Sequence, residues 1–185
     1  MGVEVLSEKV VDLLVEGKVG AIFQGKPEMG SRALGNRSII ADPRLRKGKD
    51  LVNKIKRREW YRPFAASILE EECKEWFDMG SLKNSPHMLY AVPVNKDKWN
   101  SIPAVIHVDG TCRVQTVNKD REHYYEIIRL FYEATGVPIL LNTSLNLAGQ
   151  PLVHTKGDAV ELLKHSELDF IYFPEEKEII YEDSL

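Results

Sequence analysis

Hydrophobic positions along the chain switch repeatedly between helical and strand-like spacing. Apolar residues three and four apart predict helices, and short apolar or alternating runs predict strands. The predicted helices cover residues 5–17, 45–56, 121–135 and 155–164, the last opened by a Thr155–Asp158 capping box. The predicted strands cover residues 19–23, 38–41, 64–69, 89–94, 113–117, 138–141, 169–173 and 179–181. Strands alternating with helices predict an α/β domain.

One stretch, residues 25–44, shows neither period at its centre. It carries three arginines and three glycines between two short apolar runs. Glycine permits left-handed backbone and the close approach of a ligand. Arg32 and Arg37 lie among the glycines, and guanidinium groups match phosphate oxygens in bidentate pairs. The stretch therefore predicts either the rim of a pocket for a phosphorylated, nucleotide-sized ligand or a surface loop with solvated arginines.

Two further segments add cations. Residues 54–62 hold five basic side chains with aromatic rings interleaved. For Trp60, Tyr61 and Phe64 we expect core packing of at least two. Arg113 begins an alternating strand just after a turn, and Gln115 two residues later shares its face.

Polar residues follow the apolar run at 138–141. Asn142, Thr143, Ser144 and Asn146 come at the predicted carboxyl end of a strand, where open α/β sheets place ligand contacts. The same residue types also serve as turn residues that satisfy backbone groups. His107 and Asp109 are two residues apart, and without a third ligand nearby a structural pair is favoured over a metal site.

Composition narrows the class of protein. The 185 residues predict one domain, 1–185, and the net charge of −3 argues against a general polyanion-binding protein. A local basic cleft on a mildly acidic body fits a small anion better than a nucleic acid. Two isolated cysteines favour a reducing cytoplasm. No signal peptide or membrane span is expected.

Four segments occur in a distinctive order: GKPEMGSRALGNRSIIADPR, IKRREWYRPFAAS, HVDGTCRVQTV and GVPILLNTSLNLAGQPLV. The series resembles the carboxy-terminal, YrdC-like domain of the carbamoyltransferases of the nodulation-factor and antibiotic type, over about residues 4–174. The resemblance implies a twisted, mixed open sheet with flanking helices and a concave, positively charged face. Departures from the family's usual residues bear on rim packing and substrate choice; they are Lys26, Met29, Ser31, Leu145 and Gln150.

The resemblance also implies a function. The domain would use ATP, with Mg²⁺ bound through the nucleotide, to activate carbamoyl phosphate to carbamoyl-adenylate. An actin-like amino-terminal domain, in cis or in trans, would pass the carbamoyl group to a hydroxyl, so without it we expect no acceptor carbamoylation. Such catalysis is mainly positioning and electrostatic stabilisation of phosphate charge. The expected catalytic and nucleotide-binding cations are Arg32, Lys56, Arg62 and Arg113, with Asn142 and Ser144 as further ligand contacts.

The resemblance implies separate roles for these side chains. Arg32 and Arg62 would clamp phosphate or carbamate oxygens, and Lys56 would steady the triphosphate. Arg113 would hold the adenylate phosphate or the carbamoyl group, whereas Arg37 is equally compatible with a structural role.

Two alternatives remain open. One is a threonylcarbamoyl-AMP synthase-like enzyme for tRNA modification, which would need threonine and bicarbonate; its usual lysine-arginine pattern differs from RALGNRS and LNTSLN. The other is a non-catalytic RNA- or nucleotide-binding module that uses residues 54–62. The negative net charge argues against it.

Overall fold

A computed structural model describes residues 3–30 and 32–185, so Ser31 lies outside the described residues. The described strands form one eight-stranded mixed sheet. They are β1 (Gly20–Phe23), β2 (Arg37–Ala41), β3 (Ala65–Leu69), β4 (Ala91–Pro93), β5 (Thr111–Val117), β6 (Ile139–Ser144), β7 (Phe170–Phe173) and β8 (Glu178–Tyr181). The α-helices are α1 (Val3–Val15), α2 (Gly48–Ile55), α3 (Cys73–Trp76), α4 (Glu122–Thr135) and α5 (Lys156–Lys164). Single 3₁₀ turns lie at Glu70–Glu72, Lys96–Lys98 and Glu182–Ser184.

The strand order is β4-β5-β3-β6-β2-β1-β7-β8. Strands β3 and β5 pair in parallel, as do β1 and β7, and the other neighbours are antiparallel. This confirms the predicted mixed open sheet with flanking helices. Among the described residues, no helix combines the length and apolarity needed to cross a membrane.

The buried face of helix α4 agrees with the helical spacing of its apolar residues. Tyr124, Ile127, Ile128 and Phe131 are all fully buried, as their spacing predicts. Gly136 ends the helix with a φ of 74°, the left-handed conformation that glycine adopts most easily. Helix α5 begins with the predicted capping box, in which the Thr155 and Asp158 side chains each accept from the other residue's backbone N–H.

The pairing register places residues that are distant in the chain side by side on neighbouring strands in the interior of the sheet. Arg113 on β5 pairs with Ala65 on β3, Ala65 pairs with Asn142 on β6, and Asn142 pairs with Ile40 on β2. Residues paired across strands project to the same face. Arg113 and Asn142 therefore share a face although 29 positions separate them in the chain. Strand β6 extends to Ser144, so three of the four polar residues expected to follow the strand, Asn142, Thr143 and Ser144, lie within it, and Asn146 follows it.

The prediction for the aromatic residues after α2 was wrong. Only Phe64 is buried, whereas Trp60 and Tyr61 are 71% and 59% exposed. The buried Asn53 side chain donates to the backbone carbonyls of Trp60 and Arg62, both at 3.0 Å. The chain is thus anchored there by its backbone, and the rings are left facing solvent.

Candidate active site

The glycine-arginine loop between β1 and β2 is folded around Glu28. Its Oε1 accepts from the backbone N–H groups of Leu34 at 2.6 Å and Asn36 at 2.8 Å. Gly35 has a φ of +107° and lies against the ring of Tyr124, where a Cβ atom would come within 2.4 Å of a ring carbon. A side chain at residue 35 would therefore clash as well as strain the backbone. The loop carries Arg32 to the cleft described below.

Arg37 is an internal brace of this loop and does not contribute to the cleft. The guanidinium is buried and lies 3.4 Å from the centre of the Phe23 ring. Burial lowers the pKa of Arg37. Its two terminal nitrogens donate to four backbone carbonyls, those of Gln24, Gly25, Asn36 and His154. These contacts give Arg37 a structural role in the loop.

Two adjoining cavities lie beside the row of paired residues on β5, β3 and β6. The smaller, of about 110 Å³, is lined by Arg32, Ala33, Arg58, Pro63, Phe64, Ala65, Met88, Arg113, Asn142, Thr143 and Ser144. The larger, of about 260 Å³, is lined by Gly30, Arg32, Ala33, Ser144, Asn146 and Leu152. They share three lining residues, and we call them together the cationic cleft.

Three arginines line the cleft, and no aspartate or glutamate appears among its described lining residues. Within residues 3–30 and 32–185, the arginines paired with carboxylates are Arg44, Arg62 and Arg129, none of which lines it. Burial, and then the positive charge of Arg32, lower the pKa of Arg113. Like charges that gather without a counter-charge disfavour one another, so the cleft favours an anionic ligand.

Arg58 is the cleft cation that sequence reasoning missed. Its Nη2 is buried and has no hydrogen-bond partner in the described residues, while its Nε donates to Asn53 Oδ1 at 2.6 Å. The guanidinium carbon lies 4.5 Å from the centre of the Phe64 ring. Burial, and then the charge of Arg62, lower the pKa of Arg58 to about 10. The signal in the sequence that could have indicated this contact is Asn53, a polar residue beside the apolar stripe of α2.

Arg62, which was expected to clamp phosphate, lies elsewhere. Its Nε pairs with Glu59 at 2.6 Å, its side chain is 52% exposed, and it lines neither cavity. The expected role of Arg62 therefore requires that it leave Glu59, and it stays a prediction.

Lys56 supports the cleft from behind. The residue is 3% exposed, and its Nζ lies 2.6 Å from the Ser144 carbonyl oxygen. The same Nζ lies 2.8 and 3.0 Å from the carbonyl oxygen and Oδ1 of Asn146. Burial, and then the charge of Arg58, lower the pKa of Lys56 to about 7. Lys56 thus holds the backbone that presents Ser144 and Asn146.

His107 and Asp109 shape a turn. The ring nitrogens of His107 contact Thr111 Oγ1 and the Phe64 carbonyl oxygen, both at 3.1 Å. Asp109 accepts from the backbone N–H and the hydroxyl of Thr111. These contacts agree with the structural pair that was favoured. The turn positions the start of β5 and therefore Arg113.

The sequence profile of a family described as "Carbamoyltransferase C-terminus" matches residues 11–177. The chain belongs to this carbamoyltransferase C-terminal family. It is 46% identical over 167 residues to nodulation protein NolNO of Sinorhizobium fredii, and 42% identical to nodulation protein NolO of Bradyrhizobium diazoefficiens. Each alignment covers 89% of this chain but only 25% and 30% of those proteins. The chain therefore spans less than a third of these relatives.

Solved structures show the same fold. Full-length HypF, in a phosphate- and nucleotide-bound form, superposes with a TM-score of 0.63 at 20% identity, covering 90% of this chain and 24% of that one. A doubly substituted Sua5 from P. abyssi gives 0.58 at 15% identity, covering 85% and 43%. At these identities the likeness establishes the YrdC-like fold alone.

Of the residues expected to form the site of this carbamoyltransferase domain, four line the cleft: Arg32, Arg113, Asn142 and Ser144. They come from the glycine-arginine loop, β5 and β6. Register and the loop's own hydrogen bonds bring them together.

Replacing Glu28 tests how far the loop depends on one carboxylate. Glu28→Ala removes the acceptor of two backbone N–H groups and is expected to lower the free energy of unfolding by about 3 kcal/mol. Glu28→Gln keeps an oxygen acceptor and is expected to lose about 1 kcal/mol. Urea unfolding measures both, and tryptic cleavage after Arg32 should accelerate in the alanine variant. Equal stability of Glu28→Ala and wild type would contradict this role.

Proposed function

We propose that the cationic cleft binds ATP and carbamoyl phosphate and forms carbamoyl-adenylate. The observation that carries the proposal is the gathering of Arg32, Arg58 and Arg113 around a cleft whose described lining holds no carboxylate. Membership of the carbamoyltransferase C-terminal family supports the carbamoyl group as the one activated. Two adjoining cavities suit two phosphorylated ligands.

The proposed reaction consumes ATP, carbamoyl phosphate and water. Water cleaves the bond between the carbamoyl carbon and the bridging oxygen, which releases inorganic phosphate and leaves carbamate. A carbamate oxygen then attacks the α-phosphorus of ATP, the bond from that phosphorus to the bridging oxygen breaks, and pyrophosphate leaves. Mg²⁺ bound to the nucleotide offsets the pyrophosphate charge. The products are carbamoyl-adenylate, pyrophosphate and phosphate.

The cleft residues would stabilise charge as it moves. Arg32 borders both cavities and would bridge the two ligands. Arg58 and Arg113 would hold the reacting oxygens in the smaller cavity, where partial burial strengthens charge–charge contacts. Lys56 would act as a positioning residue behind Ser144. Arg62 would join them only after leaving Glu59.

Transfer of the carbamoyl group is proposed to need more protein than this chain. The relatives are three to four times as long as the segment they share with it. An actin-like domain, in cis or in trans, would bind the acceptor hydroxyl. Large apolar side chains are exposed close in sequence to the lining residues Pro63 and Met88, and they offer a surface for such a domain. They are Trp60, Tyr61, Leu89 and Tyr90.

ATP–pyrophosphate exchange with the purified chain tests the proposal. With Mg²⁺ present, exchange is expected only when carbamoyl phosphate is added. Exchange supported instead by threonine and bicarbonate would replace the proposal with the tRNA-modification chemistry. Calorimetry with ATP runs in parallel. Absence of both exchange and nucleotide binding would overturn the function proposed for the cleft.

A further inference from the structure

A buried amide network underlies the smaller cavity. The Ser67 hydroxyl donates to Gln115 Oε1 at 2.7 Å, and Gln115 Nε2 donates to the Leu34 carbonyl at 2.8 Å. Asn142 Nδ2 lies 3.1 Å from the Ala33 carbonyl oxygen and 3.1 Å from Gln115 Oε1. It also lies 2.9 Å from Ser67 Oγ. The network ties β3, β5 and β6 to the glycine-arginine loop.

This network permits one orientation of the Asn142 amide. Turning the amide over would place Oδ1 against the Ala33 carbonyl and Gln115 Oε1, which are both acceptors. Gln115 cannot turn in compensation, because its Nε2 is held by the Leu34 carbonyl. The nitrogen of Asn142 is therefore committed inside the protein, and it has no N–H left for a phosphate oxygen.

The amide oxygen of Asn142, unlike the nitrogen, is available to a ligand. Asn142 is 1% exposed and lines the smaller cavity, and its Oδ1 has no hydrogen-bond partner in the described residues. A buried carbonyl without a partner is unfavourable until a ligand supplies a donor. Among the described lining residues of the smaller cavity, no other side chain carries a carbonyl or carboxylate oxygen.

A ligand that satisfies this cavity must carry negative charge for the arginines and an N–H or O–H group for Asn142 Oδ1. We propose that Asn142 Oδ1 accepts a hydrogen bond from the amino group of the carbamoyl donor and so selects a carbamoyl group over an acetyl or carboxylate group of the same size. This inference rests on the proposed function. A methyl group would leave the oxygen unpaired, and a carboxylate would oppose its lone pairs.

Three stable phosphonates separate these cases, because they differ only at the end group that would meet Asn142. Phosphonoacetamide carries the amide, acetonylphosphonate a methyl ketone, and phosphonoacetate a carboxylate. Calorimetry with the wild-type chain is expected to show the amide binding about tenfold or more tightly than the methyl ketone. The amide should also bind more tightly than the carboxylate, despite the extra negative charge of the latter.

Two variants test whether Asn142 is the source of the preference for the amide. Asn142→Leu is expected to bind the amide and the methyl ketone with affinities within about threefold of each other, because the acceptor is gone. Ser67→Ala removes one partner of the Asn142 nitrogen but leaves Oδ1 of this lining residue unchanged, so the preference should survive. If Asn142→Leu does not fold, the wild-type chain still provides a test. Equal affinities of the wild-type chain for the amide and the methyl ketone would overturn the inference.

The remaining outcomes are also decisive. A preference that persists in Asn142→Leu, or one lost equally in Ser67→Ala, would overturn the role of Oδ1 while leaving the proposed function in place. A wild-type chain that binds none of the three phosphonates and shows no carbamoyl-phosphate-dependent exchange would remove the proposed function and this inference together.

Discussion

Arg113→Ala is expected to reduce carbamoyl-phosphate-dependent ATP–pyrophosphate exchange by about a hundredfold to a thousandfold. Arg113 is held on β5 by its pairing with Ala65, and it lines the smaller cavity. Removing one positioned donor that stabilises developing charge in a partly enclosed site has effects of this size. The initial rate of exchange at saturating ATP measures the loss.

Stability separates a functional loss from misfolding. Burial, together with the nearby positive charge of Arg32, disfavours the charged form of Arg113 and lowers its pKa. Its removal relieves that repulsion, so the unfolding midpoint in urea should stay level or rise. Arg46→Ala makes the same change of charge at an exposed residue outside the cleft and should leave exchange within about twofold of wild type. An Arg113→Ala variant with half of the wild-type rate would rule out the proposed role.

Arg58 and Arg62 provide an internal comparison four residues apart. Arg58→Ala is expected to lose exchange to the same degree as Arg113→Ala, because Arg58 lines the smaller cavity and its buried Nη2 has no partner among the described residues. Arg62→Ala tests the remaining sequence prediction. A loss as large as that of Arg58→Ala would show that Arg62 leaves Glu59 when ligands bind.

Lys56→Met is expected to lower the free energy of unfolding by about 3–5 kcal/mol at pH 7. The substitution keeps the length of the side chain but leaves the carbonyl oxygens of Ser144 and Asn146 without their buried donor. Exchange should fall as well, because Ser144 lines both cavities. Urea unfolding at fixed pH measures the stability change. Lys54→Met is the matched control: this exposed lysine pairs with Glu167, and its loss should change stability by under about 1 kcal/mol.

The difference in unfolding free energy between wild type and Lys56→Met should change with pH in one direction. Burial lowers the pKa of Lys56 from 10.5 to about 7, so between these pH values the unfolded chain binds the proton and the folded chain does not. The contribution of Lys56 to stability therefore rises with pH across that window and is constant below pH 7. The gap in unfolding free energy between wild type and Lys56→Met should widen by a few kcal/mol, on the order of 1.4 kcal/mol per pH unit, from pH 7 towards pH 9.5. An unchanged gap would contradict a lowered pKa for Lys56.

Much of the fold follows from local sequence. Apolar spacing determines the buried stripe of α4, and side-chain chemistry at Thr155 and Asp158 determines where α5 begins. These features depend on neighbours within one or two turns, which is why they are readable without a structure. The four ordered motifs likewise identified the family, and each of them contains residues that line the cleft or support it.

The direction in which each site side chain points was decided only by tertiary structure. Arg58 rather than Arg62 lines the cleft, because Asn53 binds the Arg58 side chain and also anchors the backbone carbonyls of Trp60 and Arg62. Lys56 points under the segment at 144–146, and Arg37 into its own loop. Sequence alone determined which residues are polar and roughly where strands and helices lie. Their roles depended on register and on hydrogen bonds between residues as many as 117 positions apart, and no local pattern encodes such contacts.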